Sequence, residues 1–169
     1  MGGPRSLIKH LSAGEVEHVR RYVSMLLVEM GIGDTFQIIL REETTGEWLS
    51  EDATDESALA GIEVGDQKHT ADLFLCKGWE ALTPQVKRDC LVHEMIHITH
   101  KRVDQAVYDA LDADWLPFRS ASAYKTQYAR EIELMVDKIV KVIAPRMEEW
   151  PGKPHWPILG NVVVVGSHS

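Results

Sequence analysis

Cysteine is scarce in this 169-residue chain, which holds two, Cys76 and Cys90, too few and too far apart for a disulfide framework or a cysteine-rich metal module. A chain of this length buries a core without staples, so both read as small core residues and a reducing compartment fits. Positive charge is also in short supply. Lysine and arginine number 18 against 26 acidic residues, a formal net charge of -8, and the acids are spread along the chain. No basic surface for a phosphate backbone emerges, which argues against a nucleic-acid partner. No apolar run approaches the roughly 20 residues of a membrane span, and residues 1–10 lack the apolar stretch of a secretory signal. The expectation is a cytoplasmic protein with no membrane partner. Internal repeats and low-complexity blocks are missing too, so one domain over residues 1–150 is expected. Residues 151–169, with Pro151, Pro154 and Pro157, form a Pro-rich tail that is extended or packed on that domain.

What is present reads as an α+β fold: an N-terminal helix, a small mixed sheet, an active-site helix and a long C-terminal helix. Gly14 to Met30 places Val16, Val19, Val23, Leu26 and Leu27 on one stripe and stops at Gly31 and Gly33, the pattern of an amphipathic helix. Thr35 to Leu40, Leu59 to Val64 and Thr70 to Cys76 are short β-rich runs, the last two joined as a hairpin through residues 65–68. Thr83-Pro84 supplies a capping hydroxyl followed by proline at the first helical position. A helix is predicted from Pro84 to about Lys101, then a loop-rich region with a short helical piece from Val103 to Asp112. A second long helix is expected from Ser120 to about Ile143, limited by Pro145. Ile158 to Val165 is a last strand or an extended tail.

Inside the Pro84 helix stands His93-Glu94-Met95-Ile96-His97, an H-E-x-x-H pattern. At about 100° per residue the two histidines sit some 40° apart and one turn along the same face. Two imidazoles can converge there on one ion. Glu94 projects from the flank of that face, where a carboxylate reaches water without ligating the metal. Leu91, Val92, Met95, Ile96 and Ile98 face the other way, toward a core. With this composition the pattern arises by chance in roughly three chains per hundred. Its placement behind an independent helix start is what favours a metal reading.

Catalytic zinc takes three protein ligands and keeps a fourth position open. Val103 stands where a metzincin would carry its third histidine. His100 lies about 10 Å along the axis from His93 at 1.5 Å per residue, too far to share one ion on an unbroken helix. The Ser120 helix offers Glu131, Glu133 and Asp137 instead. Around Ile132 as the centre of its apolar stripe, Glu133 and Asp137 project from one flank and Glu131 from the other. Their i, i+4 spacing lets one carboxylate ligate while the next receives an imidazole N–H, which favours Glu133. Tyr108, Tyr124, Tyr128 and His155 are all chemically able to donate to an oxyanion, and spacing does not choose among them.

With these residues the chain resembles the gluzincin metallopeptidases of the thermolysin type, over about Thr70 to Ile143. It looks closest to the very short gluzincin-like proteases of phage and prophage genomes. The resemblance implies a zincin-like catalytic domain that binds Zn2+ through His93, His97 and Glu133, with Asp137 behind a ligand histidine and Glu94 as catalytic base. It implies a peptide or protein substrate lying along the strand before the active helix, here Thr70 to Leu75, so that Thr70, Ala71, Asp72 and Leu73 contact it. Two further readings stay open: a zincin-like zinc-binding protein without turnover that acts through a partner, and a zinc hydrolase of non-peptide amides. No feature indicates an oligomeric state.

Overall fold

The computed structural model describes residues 11–33, 35–41, 59–65, 69–75, 78–113 and 117–165. Cys76, most of the hairpin turn and the polar stretch after Arg41 lie outside them. The first helix, α1 (Ala13–Glu29), begins where Ser12 Oγ accepts the Glu15 N–H at 3.2 Å. It stops at Gly31, whose φ of 69° suits a residue without Cβ, while Ile32 N–H returns to Leu27 O at 2.9 Å. Val19, Val23, Leu26 and Leu27 are buried along its inner side.

Four strands follow: β1 (Gln37–Arg41), β2 (Ala60–Val64), β3 (Thr70–Leu75) and β4 (Val162–Val165), in the order β2-β3-β1-β4. β3 is antiparallel to β2, and β1 is parallel to both β3 and β4. The register sets Ile38 beside Ala71 and Val162, and Leu40 beside Leu73, so one face of the sheet carries the fully buried side chains of Ile38, Leu40, Ala71, Leu73, Leu75 and Val162. The alternation of the other face leaves Ile39, Asp72 and Phe74 half-buried. The last strand belongs to the sheet, so the C-terminal segment is part of the domain. Trp150, buried at its start, packs at 5.2 Å on the Tyr22 ring of α1.

The helix α2 (Pro84–Asp112) starts as its sequence dictates, with Thr83 Oγ1 accepting the Val86 N–H at 3.3 Å. Leu91, Val92, Met95, Ile96 and Ile98 pack into the common core. Its length departs from expectation. It runs unbroken for 29 residues, so the loop expected after Lys101 is helix as far as Asp112. No proline or glycine interrupts that stretch, and tertiary support from α3 holds it. That helix, α3 (Phe118–Ile143), returns alongside α2 and buries Val136 and Val140. Tyr128 Oη donates to Asp104 Oδ1 at 2.8 Å, and the rings of Tyr108 and Tyr128 meet edge to face at 5.8 Å. Among the described residues no helix is long and apolar enough to cross a membrane.

Candidate metal centre

The chemistry-bearing side chains meet where the middle of α2 passes the middle of α3. His93 Nε2 and His97 Nε2 are 3.0 Å apart. Glu133 completes the group, with Oε2 3.3 Å from His93 Nε2 and Oε1 3.4 Å from His97 Nε2. A tetrahedral ion with bonds of about 2.0–2.1 Å needs its ligand atoms about 3.3 Å apart. Each histidine faces a different oxygen of the Glu133 carboxylate at about that spacing. One ligand atom from each of the three residues can be taken with all lying within 4.8 Å of one another, and the donor set of two imidazoles and one carboxylate suits zinc better than magnesium or calcium. Nothing among the three is a fixed cation, so without an ion a proton must hold them together. The Glu133 carboxylate, hydrogen-bonded to His93 and His97, holds its own pKa far below the usual carboxylate range, and the His93 pKa rises, chiefly through that same bond to Glu133.

Behind His93, Nδ1 lies 3.3 Å from Asp137 Oδ1. A carboxylate there fixes the ring orientation and leaves Nε2 with its lone pair aimed at the centre. Glu131 and His100 lie elsewhere. Neither lines the cleft that holds the three residues, and His100 Nδ1 sits 3.0 Å from Ile96 O on its own helix.

Glu94 lies deeper than His93, His97 and Glu133, at 8% exposure. Burial pushes its carboxyl upward, opposed by the two neighbouring histidines and by a hydrogen bond from the Ile62 backbone N–H. That N–H belongs to β2, so the helix and the strand are stitched together at the residue expected to act as base. All of these groups line one open cleft of about 850 Å³ between β2, α2 and α3, walled by Ala60, Gly61, Ile62, Val64 and Val140. Asp89, Cys90, Lys101 and Asp104 also line it. The first three were legible as neighbours, because they lie three or four residues from His93 or His97 on the same helix face.

The expected substrate strand needs correction. β3 is hydrogen-bonded on both sides, to β2 and to β1, so Thr70, Ala71, Asp72 and Leu73 offer no open edge to a peptide. Ala71 and Leu73 are fully buried, and Asp72 is paired with Arg41 at 3.0 Å. Among the described residues β2 is the outer strand on this side, and it is β2 that borders the cleft. Of the four possible oxyanion donors, none lines the cleft. Tyr128 comes nearest through its bond to Asp104, which does line it. No protein-family model matches the chain, and neither a curated protein nor a solved structure matches it.

Proposed function

We propose that the protein is a zinc-dependent hydrolase of peptide bonds, with His93, His97 and Glu133 holding the ion and Glu94 as general base. The observation that carries this reading is the joint geometry of the site. Two imidazole nitrogens 3.0 Å apart and a carboxylate whose two oxygens lie 3.3 and 3.4 Å from them share one cleft with a buried carboxyl that is not among them. A zinc ion bound there supplies Lewis acidity, polarising a carbonyl and lowering the pKa of water.

The chain's own residues do the rest. Glu94, its proton affinity raised by burial, takes a proton from the attacking water and returns it to the leaving amine. Asp137 keeps His93 in the tautomer that presents Nε2. The outer edge of β2 suits an extended peptide: Gly65 N–H turns to Thr70 O of β3, so by alternation Ala60, Ile62 and Val64 present their backbone groups away from β3, with the Ile62 N–H held by Glu94. A substrate pairing with that edge would lie across the ligand histidines.

The test is cleavage of casein and of a peptide library by the zinc-loaded chain and by Glu94→Gln. Wild type should cut and Glu94→Gln should not, while both hold one zinc. Turnover retained in Glu94→Gln, or zinc-loaded wild type that cuts nothing, would contradict the reading.

A further inference from the structure

The apolar face of α2 outlasts the core it serves. Up to Ile98 that face is buried; beyond it the same side of the helix continues in solvent. At about 100° per residue, Val92, Val103, Ala106 and Ala110 fall within an arc of about 60°, yet only Val92 is covered. Val103 is 57% exposed, and Ala106 and Ala110 are exposed. With Val107 and Leu111 they line a shallow apolar groove. The opposite side of this segment is the one α3 occupies, since Asp104, Tyr108 and Asp112 all contact Tyr128 or Lys125. The exposed stripe thus faces away from the domain, and α3 cannot cover it.

We propose that this stripe is a self-association surface, on which a second copy of the chain docks its own α2 antiparallel to the first. The charges beside the stripe select that occupant. Arg102 and Asp109 lie on the same flank, about 40° and 60° from Ala106, on either side of it along the axis. A two-fold rotation that reverses the helix direction keeps that flank on the same side. It therefore sets Arg102 of each copy opposite Asp109 of the other, and makes the contact twice. Asp109 is held in place, its Oδ1 accepting from Gln105 Nε2 at 2.8 Å. With that pairing the two-fold axis passes beside Ala106, whose small side chain lets the two backbones approach closely; along each helix Val103 lies about 4 Å from the axis as an apolar knob, and Ala110 lies about 7 Å from it on the other side.

The stripe from Val103 to Leu111 is only about 12 Å long at 1.5 Å per residue, too short a patch to bury the roughly 800 Å² per partner of a strong interface. The dimer is accordingly weak, with a dissociation constant on the order of tens to hundreds of micromolar.

Sedimentation equilibrium of the zinc-loaded full chain, from about 10 µM to 1 mM across that range, tests this. The weight-average mass should climb from 19.1 kDa toward twice that value. Val103→Glu should abolish the rise. Arg102→Asp and Asp109→Arg should each weaken association at least about fivefold, because each places like charges opposite one another twice. The double variant Arg102→Asp/Asp109→Arg should restore it. A wild type that stays monomeric throughout would overturn the proposal and leave the stripe to a foreign partner. So would association untouched by Val103→Glu, or single reversals that the double variant fails to rescue. An unchanged far-UV spectrum and zinc content in each variant separates these results from misfolding.

Discussion

His93, Glu94 and His97 owe their arrangement to helix geometry alone, and truncating the two histidines should act differently from truncating the Asp137 carboxylate behind them. His93→Ala and His97→Ala should lose metal and activity together. Asp137→Ala removes the group 3.3 Å behind His93 and leaves the ligand in place, so zinc affinity or activity should drop about 10- to 100-fold. Isothermal titration with zinc distinguishes these cases. An Asp137→Ala chain that binds like wild type would show that the ring needs no such support. Spacing made these residues legible because a helix fixes neighbours three and four apart. The substrate strand was not legible in the same way. Which of two hairpin strands ends at the rim depends on β1 pairing with β3, a contact between distant segments. Only the folded sheet reveals that β2 holds the rim and that its Ile62 N–H reaches Glu94.

Helix α2 is anchored to α1 by a pair that the sequence does not advertise. Lys87 Nζ lies 2.5 Å from Glu15 Oε1, with side-chain exposures of 6% and 12%, and sits 5.5 Å above the Trp150 ring. Removing one partner of such a pair strands the other charge in the interior. Lys87→Ala should therefore cost about 3–5 kcal/mol in urea unfolding. Lys87→Met with Glu15→Gln, which removes both charges and keeps most of the volume, should cost much less. Equal losses in the single and double variants would mean that packing, not the ion pair, holds the junction. The caps at Ser12 and Thr83 and the stripes of α1 and α3 were readable from local pattern. The full length of α2 was not, although nothing between Pro84 and Asp112 breaks a helix. Its polar second half is held by contacts with α3, such as the Asp104–Tyr128 bond, which are remote in sequence.

Across the whole molecule the proposed zinc centre would couple metal, proton and stability. In the ion-free chain His93 has a raised pKa. Its stabilisation is therefore full below the ordinary imidazole value of about 6.5 and fades as pH rises through the raised folded value. Glu133 has a lowered pKa, so its stabilisation is present above the ordinary value of about 4.3 and is lost in stronger acid. The ion-free site is thus best satisfied between those limits, by a proton. Zinc requires neutral imidazoles, so in the proposed centre its binding would release that proton and strengthen as pH rises. The gap in Tm between zinc-loaded and zinc-free protein should be small near pH 5 and widen toward pH 8. A gap that narrows over that interval would contradict the linkage. The ligand set itself is tested most directly by titrating zinc against a competing chelator in wild type, Glu133→Ala, Glu131→Ala and His100→Ala. One zinc per chain is expected, held far more weakly by Glu133→Ala and about as tightly as wild type by the other two. A larger loss for Glu131→Ala or His100→Ala than for Glu133→Ala would contradict the three-residue centre.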